Sequence, residues 1–291
     1  MTQRLSVWKT YKLYIGGHFP RTESGRYLKV RDHQGDFVAD ICRASRKDLR
    51  NAVVAARKAF GGWSGRTAFN RGQILYRMAE MLEARRGGLE DRLVSVVGYS
   101  RSEAAAELDA AIDRLIWYAG WSDKFTQLFS ATNPVSSPHF NFSFPEPTGV
   151  VTILAPRQAP VLGLVSAIAP VIVSGNTAVL VVDGPAPQLA VELGEVLATS
   201  DLPGGVVNIL TGLREELIGH VAAHMDIDGI ASYGTSTEDR TKLDLGAASS
   251  VKRVKHYADP EAAVWRTDAT QSPYRILPFI EVKTAWHPMG V

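Results

Sequence analysis

The chain of 291 residues has one cysteine, Cys42, and therefore cannot form a disulfide within itself. Such sparing use of cysteine is typical of a reducing compartment and predicts a cytoplasmic protein. No apolar run reaches the roughly 20 residues that a membrane-spanning helix needs, and the first residues, MTQRLSVWKTYKLYIGG, lack the apolar centre of a secretory signal. With a formal net charge of only +2, no nucleic-acid or membrane partner is predicted.

Several motifs of active sites are also missing. No G-x-G-x-x-G follows a predicted strand, so the usual dinucleotide fingerprint is absent. There is no G-x-S-x-G nucleophile motif. His220 and His224 are four residues apart on a predicted helix, but no third ligand stands at a suitable spacing. The sequence therefore predicts no metal site.

What the chain does contain is centred on Gly149–Pro187, which reads as a strand, a crossover helix and a second strand. Both strands are apolar at every position, as expected for parallel strands covered by helices on both faces. Three more strands alternate with helices after it, so the pattern predicts a Rossmann-like, doubly wound α/β fold. The predicted strands are 150–154, 178–182, 206–210, 227–231 and 251–257.

Four predicted helices precede this unit. The first begins after the N-cap Ser45 and ends at Gly61-Gly62, and the second runs from an Asn70 cap to Gly87-Gly88. The third covers 89–97, and a long fourth helix is predicted over 102–129.

Two proline-punctuated segments flank the core. In Ala131–Pro147, three phenylalanines alternate with polar residues, and Tyr274–Pro288 reads as one or two strands. Paired together they would form a small β arm that a partner covers, whereas the alternative is a tail folded back as an edge strand. The predicted division is a Rossmann-like domain at 1–130 and 148–262, with the β arm at 131–147 and 263–291.

Several stretches resemble the cofactor-binding half of the aldehyde dehydrogenase superfamily. They include LYIGGHF, AVVAARKAFGGW, EPTGVVTILAP, APVIVSGNTAVL, DLPGGVVNILTG, IDGIASYGTS and the closing EVKTAWHP. The order of these stretches is that of the family, and they cover most of the chain. The resemblance implies the family's cofactor-domain fold and its oligomerisation arm, but fold alone does not carry function.

The resemblance also implies a catalytic machinery that this chain departs from. The family's cysteine nucleophile belongs to a catalytic domain after the last cofactor-domain strand, yet Val251–Tyr257 is followed closely by the tail, so that domain is predicted to be absent. Cys42 matches no family motif and is interpreted as a buried or incidental thiol. The general-base motif Glu-Leu-Gly-Gly is missing after Val251–Tyr257.

The family's cofactor positions are degenerate here. Gln158 stands at the oxyanion asparagine position, beside Ala155, and a glutamine amide is displaced by one methylene. Val181 and Gly184 replace the lysine and glutamate that hold the ribose. Gly212, Gly234 and Thr235 match turn and helix-start positions, which serve as ordinary turns and caps as well as they would serve a nucleotide.

These departures favour an aldehyde-dehydrogenase-like pseudoenzyme, resembling the non-catalytic C-terminal domain of family-sixteen (two-domain) aldehyde dehydrogenases. No catalytic residues and no cofactor are expected, and NAD is the cofactor if there is any. The expected partner is an intact aldehyde dehydrogenase subunit, or a second copy of the chain bound through the β arm. The alternative is a working NAD-dependent aldehyde dehydrogenase.

Overall fold

The computed structural model describes residues 7–290, and within them a five-stranded parallel sheet forms the centre. Its spatial order is β10-β9-β6-β7-β8. The strands are β6 (Val150–Leu154), β7 (Thr177–Val182), β8 (Val207–Thr211), β9 (Gly229–Tyr233) and β10 (Arg253–Tyr257). The predicted fold class is confirmed. The chain winds outward from β6 to β8 and then returns to β9 on the other side of β6, so the order of the strands reverses between β6 and β9.

Helices cover both faces of this sheet, because alternate residues of each buried strand point to opposite sides. On one face Val151 and Ile153 of β6 lie in a large core with four helices, and on the other face Val150 and Leu154 lie in a smaller core with three helices. The first group is α2 (Ala68–Ala84), α4 (Arg101–Ala119), α6 (Leu162–Val173) and α7 (Gln188–Leu197). The second group is α1 (Arg46–Ser64), α8 (Arg214–Ala223) and α9 (Thr237–Ala248).

The remaining elements surround this body. A three-stranded sheet of order β1-β3-β2 precedes α1, and a short helix with a π-helical turn at Leu93–Val97 follows α2. These elements are β1 (Thr10–Tyr11), β2 (Tyr27–Arg31), β3 (Phe37–Cys42), α3 (Arg86–Arg92) and α5 (Phe125–Phe129). No helix among residues 7–290 is long and apolar enough to cross a membrane.

The β arm is a separate antiparallel sheet of order β11-β5-β4. Its strands are β4 (Ala131–Asn133), β5 (His139–Pro147) and β11 (Ile280–Pro288). The tail pairs with β5 along its whole length, from Ile280 opposite Pro147 to Pro288 opposite His139. The pairing expected between the two proline-punctuated segments is therefore present.

The arm is smaller than the sequence suggested, because residues 263–279 belong to the main body. Trp265, Ile276 and Phe279 are buried in the larger core, in a segment made of α10 (Ala262–Trp265) and three short 3₁₀ turns. The strand prediction over 274–279 was wrong, and the arm proper begins at Ile280. Residues 258–279 are all that separates β10 from β11, so no further domain lies between these two strands.

Several predicted helix ends were also wrong. Helix α1 continues to Ser64 through Gly61-Gly62, where the backbone does not take the left-handed turn that glycine often supplies at a helix end. Helix α2 is capped by Thr67, which accepts from the Asn70 N–H. Gly87-Gly88 lies inside α3 rather than at the end of α2, and the long helix over 102–129 is two helices, α4 and α5.

Candidate functional site: a closed crevice at the carboxyl edge of the sheet

The carboxyl ends of parallel strands meet at one edge of a sheet, and ligands of open α/β folds bind outside that edge where the strand order reverses. Here a charged residue follows four of the five strands. Arg157 follows β6, Asp183 follows β7, Arg214 follows β8 and Asp259 follows β10. Strand order therefore gathers two cations and two carboxylates where a ligand would enter.

Arg214 lies across the ends of the strands and is only 4% exposed. Its Nη2 donates to the Ala155 carbonyl at 2.6 Å and its Nη1 to the Tyr233 carbonyl at 2.8 Å, so it joins the ends of β6 and β9. Burial lowers the pKa of Arg214, because removal from water disfavours the charged form. A cation this deeply buried needs an anionic neighbour.

Asp183 is that neighbour, and it serves a second arginine as well. Its carboxylate accepts from Arg214 Nη2 at 3.2 Å and from Arg157 through Nε at 3.2 Å and Nη2 at 2.5 Å. The two-bond contact with Arg157 is the fork geometry in which arginine holds carboxylates and phosphates. It raises the pKa of the Arg157 guanidinium. The cluster Arg157–Asp183–Arg214 thus spans the ends of β6, β7 and β8.

Asp259 closes the crevice from the other side. One oxygen of its carboxylate accepts from two successive backbone N–H groups, that of Arg157 at 2.7 Å and that of Gln158 at 3.2 Å. Successive N–H groups that converge in this way form a nest, an anion-binding feature of protein backbones. The other oxygen accepts from the Trp265 indole at 3.1 Å, which holds the carboxylate in place.

A third carboxylate caps the helix after β6. Glu107 of α4 is fully buried, and its Oε1 accepts from the Val161 N–H at 2.8 Å and the Leu162 N–H at 3.3 Å. Helix N-termini attract anions because their first N–H groups have no partner within the helix. At α6 the chain supplies that anion itself, and burial raises the pKa of the Glu107 carboxyl above its ordinary 4.5.

The raised pKa leads to a prediction for Glu107→Gln. Because its pKa is higher in the folded than in the unfolded state, Glu107 binds its proton more tightly in the folded protein. Its contribution to the free energy of unfolding is therefore fully present below pH 4.5 and is lost as pH rises through the folded pKa. We therefore expect wild type to lose stability relative to the glutamine variant between pH 4 and pH 8, as followed by urea unfolding.

The matched control for this experiment is Glu103→Gln on the same helix. Hydrogen bonds from Ser100 lower the pKa of Glu103, so its pH dependence has the opposite sign: its contribution is present above pH 4.5 and is lost as pH falls. An equal stability gap between wild type and Glu107→Gln at both pH values would contradict the prediction.

With these contacts made, little open space is left at the strand ends. The cavity bounded by Pro156, Arg157, Leu164 and 184–186 measures about 10 Å³. A single water occupies a cavity of about 10–15 Å³, so this cavity is too small to hold any part of a dinucleotide.

The predicted site residues divide into two groups. Gln158 is exposed and contributes its N–H to the nest, while Ala155 accepts from Arg214. Gly184 lines the small cavity. Gly234 takes a φ of 58° beside Asp259, where a Cβ would stand 2.9 Å from the Asp259 Cβ, and the Thr235 hydroxyl lies 3.5 Å from Arg214 Nη1.

Val181 and Gly212 do not reach the crevice. The Val181 side chain is fully buried in the smaller core, and Gly212 packs against the backbone of Ala44, where a Cβ would lie 3.1 Å from the Ala44 nitrogen. Gly212 is therefore a structural turn. Reading the sequence as a set of family positions missed the four charged residues. The available signal was a charged residue within three positions of the end of four of the five strands.

The start of α9 is also unsuited to an anion from outside. Ser236 caps the helix by accepting from the Asp239 N–H at 3.2 Å, and Glu238 and Asp239 stand in the first turn. Acidic side chains there already complement the helix dipole, and they repel a second negative group.

The cysteine is remote from this edge. Cys42 ends β3 and is fully buried, and burial raises the pKa of its thiol, which disfavours the reactive thiolate. This agrees with its interpretation as a structural thiol.

The fold and the family motifs can now be compared with known proteins. The family model described as "Aldehyde dehydrogenase family" matches residues 19–256 of this chain. The chain belongs to the aldehyde dehydrogenase family. Among its relatives are an aldehyde dehydrogenase of Davidiella tassiana, 31% identical over 83% of this chain and 49% of that protein, and retinal dehydrogenase 2 of Gallus gallus, 32% identical over 84% and 48%.

Solved structures of the family agree with this assignment. The NAD+ complex of an aldehyde dehydrogenase from Bacillus cereus superposes with a TM-score of 0.80 at 26% identity, covering 86% of this chain and 51% of that one. The present chain spans about half the length of the curated relatives it matches. Its crevice, however, is occupied by its own charged side chains, and the residues present do not fit a dinucleotide.

Proposed function

We propose that this chain is a non-catalytic aldehyde dehydrogenase homologue that binds an intact aldehyde dehydrogenase through the β arm and acts as its structural or regulatory subunit. The closed crevice carries the non-catalytic part of this proposal. Asp183 pairs with Arg157 and Arg214, and Asp259 accepts from the Arg157 backbone N–H, where a cofactor would have to enter. We propose a cytoplasmic location on the ground of the single cysteine.

The course of the chain after β10 supports the same reading. Residues 258–279 pass directly to the arm and are packed into the main body through Trp265 and Phe279. The family resemblance places the nucleophile and its domain at this point of the chain. The one cysteine of the sequence, Cys42, is buried in β3 and does not lie in this part of the chain.

The β arm supports the docking part of the proposal. Phe140, Phe142 and Phe144 alternate along β5 and so share one face, with ring centroids 5.4 and 5.9 Å apart. These rings border an open groove of about 340 Å³ together with residues 130–132. Phe140 is 47% exposed. Large aromatic side chains on an open face are typical of protein interfaces.

The edges of the arm support docking in the same way. Strands β4 and β11 are the two outer strands of this sheet, and β11 presents a nine-residue edge. Exposed edges with this length template pairing with another chain unless something covers them. An aldehyde dehydrogenase subunit with a matching arm would cover both the edge and the phenylalanine face.

The docking test uses size-exclusion chromatography of this chain mixed with each full-length aldehyde dehydrogenase of its source organism. We expect co-elution with one of them for wild type, and a loss of at least about tenfold in affinity for Phe142→Ser, because the central ring of the face is removed. The matched control is Phe69→Ser on α2, where the phenylalanine is 69% exposed but lies outside the arm.

Wild type that co-elutes with no full-length enzyme would contradict the proposal, as would a complex weakened by Phe69→Ser and not by Phe142→Ser. Elution of the chain alone as a dimer that Phe142→Ser disrupts would assign the arm to self-association instead.

The alternative is a working NAD-dependent aldehyde dehydrogenase, which the names of the relatives favour. The isolated chain is incubated with NAD and a panel of aldehydes, and NADH is followed by absorbance. We expect no NADH above the rate without protein. Turnover by the chain alone would overturn the non-catalytic assignment.

A further inference from the structure

A cavity of about 670 Å³ lies between the start of β1, the α2–α3 junction and α7. It shares no lining residue with the small cavity at the carboxyl edge of the sheet, so it is a separate place on the molecule. A second cavity of about 310 Å³ adjoins it, because the side chains of Lys9 and Arg92 line both. Volumes of this size are typical of small-molecule sites.

The larger cavity has a wall of mixed charge. Glu192 and Glu195 are three residues apart on α7 and therefore share one face of that helix. Glu195 accepts from Lys9 Nζ at 3.0 Å and from Arg85 Nη1 at 3.1 Å, and Glu192 lies 3.4 Å from Arg92 Nε. A ligand that carries charges of both signs suits this wall better than a pure anion or a pure cation.

The cations of this wall can exchange partners at little cost. The side chains of Lys9 and Arg92 are 49% and 44% exposed, and ion pairs of such exposed groups contribute little to stability because water screens them. Glu192, in contrast, is held in place by the hydroxyl of the buried Tyr11, which donates to it at 2.5 Å. A fixed carboxylate therefore stands beside cations that are free to turn toward a ligand.

The smaller cavity adds an aromatic wall. Trp8 and Phe37 both line it and meet edge to face, with ring centroids 5.3 Å apart. Trp8 is 59% exposed, so its ring is open to contact. Ser95 and Val96 of the π-helical turn line the same cavity, and such turns are frequent at functional sites. An aryl group packs favourably against a pair of rings of this kind.

We infer that the two cavities together bind an aromatic α-amino acid. Its ring lies against Trp8 and Phe37 in the smaller cavity. Its carboxylate pairs with Lys9 and Arg92, which line both cavities, and its ammonium group pairs with Glu195 in the larger one. The two charged groups of such a molecule share one carbon, and the ring is attached through the next, so one small ligand reaches all three features. The inference depends neither on the closed crevice nor on docking through the β arm.

The first test is calorimetry of the whole chain with L-phenylalanine as the probe, for which we expect a Kd of about 100 µM. Three analogues each lack one of the recognised groups. They are 3-phenylpropionate without the ammonium group, phenylalaninamide without the carboxylate and L-alanine without the ring. Each is expected to bind at least about tenfold more weakly, because one set of contacts is lost.

Variants of two exposed side chains place the ligand. Trp8→Ala is expected to weaken L-phenylalanine binding at least about tenfold, whereas Tyr274→Ala, which removes a ring 61% exposed elsewhere, leaves it unchanged. Glu195→Gln is expected to weaken L-phenylalanine about tenfold and not to weaken 3-phenylpropionate, which has no ammonium group to lose. Its control is Glu238→Gln on α9, where an exposed carboxylate pairs with Lys242, and both ligands are expected to bind as in wild type.

Wild type that binds L-phenylalanine no more tightly than L-alanine overturns the inference, as does a folded Trp8→Ala variant with unchanged affinity. Equal weakening of L-phenylalanine and 3-phenylpropionate by Glu195→Gln contradicts the place given to the ammonium group. If Trp8→Ala does not fold, the four ligands measured on wild type decide the ligand class and Glu195→Gln decides the site. Failure of docking through the β arm would leave every one of these results unchanged.

Discussion

Arg114→Ala is expected to lower the free energy of unfolding by about 4 kcal/mol, because one buried side chain holds the 258–279 segment to the main body. Arg114 is 3% exposed, and burial lowers its pKa. Its guanidinium donates to Gln271 Oε1 at 2.9 Å, to Ser166 Oγ at 2.7 Å, and to the carbonyls of Thr270 at 3.2 Å and of Trp265 and Thr267, both at 3.3 Å. Removing the side chain leaves the Thr270 carbonyl without a donor, whereas the carbonyls of Trp265 and Thr267 still accept from the Thr270 hydroxyl.

Urea unfolding at pH 7 measures this effect. Arg114→Lys is expected to be nearly as damaging, since an ammonium group keeps the charge but cannot reach acceptors placed around a planar fork. Arg101→Ala is the control on the same helix, where an exposed pair with Asp91 at 2.7 Å contributes less than about 1 kcal/mol. Similar losses for Arg114→Ala and Arg101→Ala would show that the segment is not anchored in this way.

Gly149→Ala is expected to lower the free energy of unfolding by about 3 kcal/mol. Gly149 immediately precedes β6 with a φ of 139°, a region that side chains other than glycine rarely adopt. A Cβ there would stand 2.0 Å from Asp228 Oδ2. That oxygen already accepts from the Val150 N–H at 2.7 Å and from Arg57 at 2.6 Å, so it cannot move without breaking both bonds.

Thermal and urea unfolding of Gly149→Ala are compared with those of Gly87→Ala. Gly87 lies in α3 with no atom within 4 Å of a Cβ, so alanine is expected to stabilise the chain there by about 0.5 kcal/mol. A Gly149→Ala variant as stable as wild type would mean that the Asp228 contacts do not hold the start of β6.

The parallel sheet could be predicted from sequence because its strands are buried on both faces and therefore read as unbroken apolar runs. Helix ends were harder to predict. Gly61-Gly62 resembles a helix stop signal, but helix α1 continues through both glycines. It ends at the C-cap Gly65, whose φ is −74°. Composition shows where a helix is able to end, whereas packing decides where it does.

The crevice could not be predicted for a different reason. Arg157, Asp183, Arg214 and Asp259 are single polar residues, separated in sequence and following different strands. Their ion pairs and hydrogen bonds exist only because the strand order β10-β9-β6-β7-β8 brings those ends together. Comparing family positions does not reveal these contacts, because they depend on three-dimensional placement.

The pairing of β11 with β5 also sets the order in which the arm can form during synthesis. Strand β5 is complete at Pro147, yet its long partner strand is not finished until Pro288. Through most of translation the phenylalanines of β5 are paired only with the three residues of β4, and such half-paired strands are where nascent chains associate wrongly. The arm is therefore completed last, after the body of the protein has been made.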